Sequence, residues 1–255
     1  MKLAIGVNLF GSNKRQSIAA EVLCAHAKHF TDIELFNITF KNEKNTNSQF
    51  THLPLIRRTA ADVIKDSISQ KPIAKDFFDI LSQQDCDAFL FLNSDILLTR
   101  KAIKLIMEQA YETYSFSRAD CYEFDEPTKA VPFRIEIAGF DGWAVNKNWW
   151  IANRDLFDDY VYAEHLWDVA FAITMFKHSN SKLCNKDIYI AHEKHPLNWN
   201  ENSVEALHNS SLWKKTEFHQ KWHDFVFTQL IKRTPHGQFF VPLSNEEESE
   251  LRLFK

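Results

Sequence analysis

Glycine is scarce in this chain, with five in 255 residues, about 2% against a usual ~7%. No G-x-G-x-x-G and no G-x-x-x-x-G-K-[ST] segment occurs, which excludes a Rossmann dinucleotide loop and a P-loop. If a nucleotide binds, a metal and side chains must handle its phosphates. The four cysteines, Cys24, Cys86, Cys121 and Cys184, are scattered and form no C-x-x-C pair. Neither a zinc knuckle nor a disulfide framework is indicated, and the expectation is a reduced, cytoplasmic protein. Basic residues show no excess: 30 Lys and Arg stand against 34 Asp and Glu, for a net charge of -4. That argues against a nucleic-acid partner or an anionic membrane surface. No apolar run approaches the ~18 residues of a transmembrane segment. Met1 to Phe10 is interrupted at Asn8 and is too short for a signal peptide.

What remains is ordinary for a globular chain: 45% hydrophobic and 25% charged residues, enough for a sizeable core. Strand, helix and strand patterns at Lys2–Phe10, Ser17–Phe30 and Ile33–Phe40 compose a right-handed βαβ unit. Residues 41–51 are polar and read as a surface loop, and a helix is expected near Ile73–Gln83. Ala88 to Leu92 is five apolar residues without a polar break, the pattern of a strand buried on both faces. It ends in Asn93-Ser94-Asp95. Ligands of open α/β sheets bind beyond the carboxyl ends of strands, and carboxylate oxygen suits Mg²⁺ or Mn²⁺. Asp95 therefore either meets such a ligand or simply caps the helix that begins near Thr99.

Arg100–Tyr114 reads as an amphipathic helix, and Asp120–Phe124 as a short strand. Residues 131–145 alternate, reach Gly139-Phe140-Asp141-Gly142 and resume as Trp-Ala-Val. Glycine on both sides of one acid implies an Asp-Gly turn or a close backbone approach. Tyr162 to Phe171 reads as the start of a helix carrying Glu164 and Asp168 one turn apart on the same face. A short strand then ends in His192 and His195, three apart, and neutral imidazole is a good ligand for transition metals. The rest, from Ser203, is helical and aromatic. His219 and His223 are separated by Gln-Lys-Trp and do not form H-E-x-x-H, so that helix is read as packing.

The apolar strand ending in Asn-Ser-Asp, the acid at Asp168 and the H-x-x-H at 192–195 followed by Trp-Asn resemble, in that order, the GT-A-fold glycosyltransferases. The first position of their D-x-D motif is Asn93 here. The resemblance implies a mixed, mostly parallel α/β sheet flanked by helices over residues 1–200, with a helical C-terminal extension over 201–255. It implies a nucleotide-sugar donor such as a UDP- or GDP-sugar, a glycan or other hydroxyl acceptor, and a role in polysaccharide biosynthesis. Asp95 with His195 or His192 would hold Mn²⁺ or Mg²⁺, and Asn8, Phe10, Asn13, Arg15, Arg58 and Asn93 would lie along the donor. Asp168 would be the base that deprotonates the acceptor, with Glu164 beside it, and Asp141 would shape the acceptor pocket. Trp143, Trp149, Trp150 and Trp167 offer faces for sugar rings. A nucleotidyltransferase of the same fold, a metal-dependent hydrolase and a non-catalytic scaffold are the alternatives.

Overall fold

The computed structural model describes residues 1–10, 13–40, 43, 47–55, 58–123, 126, 130–185, 187–195, 200–216 and 240–242. His219, His223, Trp199 and Phe124 lie outside the described residues. In chain order the elements begin with β1 (Leu3–Val7), α1 (Lys14–Ala27), β2 (Ile33–Phe40), β3 (Thr51–Leu55) and α2 (Ala60–Val63). They continue with α3 (Ala74–Ser82), β4 (Ala88–Leu92), β5 (Ile96–Leu98), α4 (Arg100–Met107), β6 (Thr113–Cys121) and β7 (Pro132–Asn146). After them come α5 (Lys147–Asn153), α6 (Trp167–His178), β8 (Ser181–Cys184), β9 (Ile190–Glu193), α7 (Val204–Lys215) and β10 (Phe240–Pro242).

The strands form one mixed sheet in the order β3-β2-β1-β4-β7-β6-β9-β5, with β10 beside β7 and β8 beside β6. Strands β3, β2, β1 and β4 run parallel, and β7 enters antiparallel to both β4 and β6. This is the α/β architecture that the sequence implies. From β1 the chain moves outward to β2 and β3, then returns to place β4 on β1's other side. The carboxyl ends of β1 and β4 therefore flank a crevice where the connections diverge, the usual ligand position in such sheets.

Alternation along β4 explains why all five of its residues are apolar. Phe89 and Phe91 enter one core with Phe77, Phe78 and Leu81 of α3, Trp150 of α5 and Phe171 of α6. Leu90 and Leu92 enter the other, with Leu23 of α1 and Ile103 of α4. Phe91 stacks on Phe77 with ring centroids 4.7 Å apart. The same packing corrects one expectation. Trp143, Trp149, Trp150 and Trp167 are all buried in the α3–α5–α6 core and present no faces for sugar rings. Their bulk fills the space between sheet and helices, where each ring buries a large apolar area.

Four further expectations are corrected. The helix at Arg100 ends at Met107, and the strand expected at 120–124 begins at Thr113 and ends at Cys121. The helix cap is Thr99, whose Oγ1 accepts the Ala102 N–H at 3.1 Å, which leaves Asp95 free of that duty. Gly139 to Gly142 make no turn, because β7 runs through them, but with irregular register against β6. Phe116 pairs with Gly142, Ser117 with Phe140 and Arg118 with Glu136, so Asp141 and then residues 137–139 are extra on the β7 side. These are β-bulges, which re-aim side chains. The two glycines serve close approach: a Cβ on Gly139 would meet the Arg118 guanidinium at 2.9 Å, and one on Gly142 would meet Leu92 at 2.8 Å.

Of the C-terminal part, α7 is fixed by Asn209, whose side chain accepts from Val161 N at 2.8 Å and donates to Val161 O and His165 O at 3.0 Å. Among the described residues no helix is long and apolar enough to cross a membrane. The four cysteines are buried and unbridged.

Candidate active site

Beyond the end of β4, Asp95 meets both histidines of the β9 end. His192 Nε2 and His195 Nε2 each lie 3.4 Å from Asp95 Oδ2. The three ligand atoms are all within 4.8 Å of one another. The antiparallel pairing of β5 with β9 places Ile96 opposite His192, which brings residues about a hundred apart in sequence together. Both nitrogen–oxygen distances exceed the ~2.7–3.2 Å of a good N–H···O bond. Among the described residues, the buried His192 Nδ1 has no hydrogen-bond partner. One carboxylate and two imidazoles on a common centre suit a divalent transition ion. Imidazole nitrogen is a poorer match to Mg²⁺, whose preferred ligands are oxygen. Burial alone would push the Asp95 carboxyl up; the two imidazoles more than offset this and hold it well below the usual carboxylate range.

Asn93, two residues before Asp95, turns toward β7. Its amide donates to Asp141 Oδ1, its backbone N–H donates to Asp141 O at 3.0 Å, and its side-chain oxygen accepts the Tyr162 hydroxyl at 3.1 Å. Burial, with the Asp95 and Asp141 charges, pushes the Tyr162 phenol up, so it stays a donor. Asp141 Oδ2 accepts from Arg118 at 3.0 Å, and Arg118 also holds the buried Asp120 at 3.0 Å. Asp120 in turn accepts Arg134 at 2.7 and 2.9 Å. Asp168 lies in the first turn of α6 and is half-buried. Burial first, and the neighbouring Asp141 charge second, push its carboxyl up to about 7.

The residues expected along a donor follow β1. Asn8 is buried and donates to Ile38 O at 2.6 Å, while Phe10 is exposed. Gln16 connects this loop to the segment that carries Asp95: its Oε1 accepts the Phe10 N–H at 3.2 Å and its Nε2 donates to Ser94 Oγ at 2.9 Å. Asn13 caps α1 by accepting the Arg15 N–H at 2.9 Å. The Arg15 guanidinium pairs with Glu193, next to His192, at 2.5 Å.

Two candidates lie apart from this cluster. Arg58 is engaged by Asp76 at 3.0 Å and Asp159 at 2.5 Å, an ion-pair group that ties its loop to α3. Glu164 does not share a helical face with Asp168. Ala163 and Leu166 are left-handed, at φ 59° and 73°, and α6 starts only at Trp167. The buried Glu164 carboxylate instead pairs with Lys71 and accepts Ser203 Oγ at 3.4 Å. Arg118, Asp120, Arg134 and Glu136 were missed from the sequence. Their signal was present as opposite charges in cross-strand register, Arg118 with Glu136 and Asp120 with Arg134.

No protein-family model matches this chain, and no curated protein does. Among solved structures it is similar to S. aureus TarS 1-349, at 13% identity and a TM-score of 0.49 over 76% of this chain and 60% of that one. It is similar to the same protein in complex with UDP-GlcNAc, at 12% identity and a TM-score of 0.49 over 99% and 70%. For the complex with UDP the values are 13% and 0.46 over 77% and 61%. The chain thus spans 60% of the length of the first of these structures. The fold is a mixed α/β sheet, with Asp95, His192 and His195 gathered beyond the carboxyl end of β4.

Proposed function

We propose that this protein is a metal-dependent glycosyltransferase that moves a sugar from a nucleoside-diphosphate sugar to a hydroxyl acceptor. The observation that carries the reading is the convergence of Asp95, His192 and His195 beyond the carboxyl end of β4. These three residues would hold Mn²⁺, or less favourably Mg²⁺. A bound ion would supply charge neutralisation for the departing diphosphate, a contribution of several kcal/mol. UDP- and GDP-sugars are the donors to test, and a saccharide the first acceptor. Polysaccharide biosynthesis in the cytoplasm is the setting this reading favours.

The chain's own residues then divide the work. Asn8, Phe10, Asn13 and Arg15 border the crevice on the β1 side, and Gln16 keeps that loop in step with Ser94. Arg58 is left out, because its guanidinium already serves two carboxylates. Asp168 takes the proton of the acceptor hydroxyl as that oxygen attacks the anomeric carbon. The bond from that carbon to the diphosphate oxygen breaks, and its electron pair leaves with the diphosphate. A base with a proton affinity near neutrality suits this transfer. A scaffold that only binds glycans would need neither Asp168 nor the triad.

The test is release of nucleoside diphosphate from UDP- and GDP-sugars in the presence of Mn²⁺, with and without saccharide acceptors. Turnover that needs the ion and falls at least ~100-fold in Asp168→Asn supports the reading. Release that persists without any divalent ion contradicts it.

A further inference from the structure

Asn93, Ser94 and Asp95 join β4 to β5. Asn93 is held to β7 by its bonds with Asp141, and Ile96, the residue after Asp95, is fixed opposite His192 by the β5–β9 pairing. Between these anchors the Ser94 hydroxyl takes its partner from α1, the amide of Gln16 at 2.9 Å. We propose that Gln16 is a positioning residue for Asp95: through Ser94 it sets where the carboxylate stands relative to the two histidines, and with it the affinity of the triad for a divalent cation. The inference rests on the reading of Asp95, His192 and His195 as a metal site and adds a residue that acts on that site from α1.

Gln16 is spent in an unexpected way for its place in the helix. Asn13 caps α1, and Asn13-Lys14-Arg15-Gln16 has the spacing of a capping box, in which the Gln side chain turns back to the N–H of the cap residue. Here its oxygen accepts the Phe10 N–H at 3.2 Å instead. A backbone N–H can only donate, so that end of the amide is the oxygen and the end at Ser94 is the NH₂. The side chain is buried, and burying an amide is costly unless it is hydrogen-bonded; both of its ends are. Helix α1 is itself fixed against the strands that carry the triad. Ile18, Ala19 and Val22 share a core with Leu97 of β5 and Ala191 of β9, and Arg15 pairs with Glu193 at 2.5 Å. Gln16 therefore reaches Ser94 from a support docked on both strands, and any shift of Ser94 moves the residue next to it, Asp95. Metal–ligand distances are held to within about 0.2 Å, so a small shift is enough to matter.

The experiment is calorimetric titration of Mn²⁺ into nucleotide-free wild-type protein, Asp95→Ala, Gln16→Leu, Ser94→Ala and His26→Leu, with the fold of each checked by urea denaturation. Gln16→Leu is close in volume and changes no charge, and it is expected to weaken Mn²⁺ binding about 10-fold, the lower end of the effect of groups that orient metal ligands. Ser94→Ala should weaken it similarly, and the double variant little further, because both changes break one connection. His26→Leu is the control. It removes the 2.7 Å bond between His26 Nδ1 and Leu98 O at the other end of α1, and should lower stability while leaving Mn²⁺ affinity within about twofold of wild type. An unchanged affinity in folded Gln16→Leu overturns the proposal. Additive losses in the double variant overturn it too, as does equal weakening in His26→Leu, which would mark a general loosening of α1. If Gln16→Leu does not fold, Ser94→Ala decides, and an unchanged affinity there overturns the proposal. If wild-type protein binds no Mn²⁺, or Asp95→Ala binds it equally well, the metal reading fails and takes the proposal with it. If Asp95→Ala abolishes binding while the Gln16 and Ser94 variants match wild type, the proposal alone fails.

Discussion

Asn93 donates its side-chain amide to the Asp141 carboxylate and accepts the Tyr162 hydroxyl at 3.1 Å with the other end of the same group. Aspartate at this position has no N–H to offer and would set a carboxylate against Asp141. Asn93→Asp is therefore expected to lose about 1–3 kcal/mol of stability at neutral pH. Urea denaturation at pH 7 measures it, and an unchanged midpoint would contradict the account of this pair.

Arg118 makes the sharper case. Removing it by Arg118→Met leaves Asp120 and Asp141 facing each other across a buried gap, which is expected to cost about 3–5 kcal/mol. Lys101→Ala breaks the exposed Lys101–Asp187 pair and the contact of Lys101 with the Tyr189 ring and should cost about 1 kcal/mol. Parallel denaturation of the two variants checks the contrast; similar losses would be inconsistent with the β6–β7 charge network.

Asp168 gives the protein a pH dependence of definite sign. Its folded value of about 7 lies above the ~3.9 of a free aspartate. Between those values the folded chain holds a proton that the unfolded chain has released, so stability falls as pH rises through the window and levels off above it. Asp168→Asn removes that slope, and the two proteins should diverge by on the order of 1–3 kcal/mol between about pH 5 and 8. Parallel curves would count against the buried proton. Asp95 acts in the opposite sense: its carboxyl is held low, so its contribution is present above about pH 4 and is lost as pH falls further.

In the core, Phe91 sits on Phe77 and beside Trp143 and Tyr162. Phe91→Ala should lose about 3–5 kcal/mol, the usual cost of a large buried cavity. Because Asn93 and Asp95 follow directly on this strand, loosened packing here should also weaken any metal binding. Calorimetry with Mn²⁺ on the folded variant tests that second effect.

Much of this arrangement was legible in the sequence, and for physical reasons. A buried central strand can afford no polar residue, so 88–92 announced itself, and the acid at its end followed. The histidines were legible as a pair because their spacing puts both at one strand end. Strand β7 was harder. Gly-Phe-Asp-Gly favours a turn locally, but pairing with β4 and β6 keeps it extended, and its glycines pass close to Leu92 and Arg118. Glu164 was misplaced because helical spacing says nothing of the left-handed residues at 163 and 166 that delay α6. The tryptophans illustrate a general ambiguity: an indole reads alike in a sequence whether it faces a sugar or a phenylalanine.

The central claim is a metal site that serves a nucleoside diphosphate, and thermal unfolding reads it most directly. Wild-type protein and Asp95→Ala would be heated with UDP, GDP or CMP, each with and without Mn²⁺ at about the millimolar level. A ligand that binds only the folded state at a hundredfold excess over its Kd adds about 2.7 kcal/mol. The account predicts a rise in Tm that requires nucleotide and Mn²⁺ together and disappears in Asp95→Ala. A Tm that no pair moves, or that moves equally in Asp95→Ala, would contradict it.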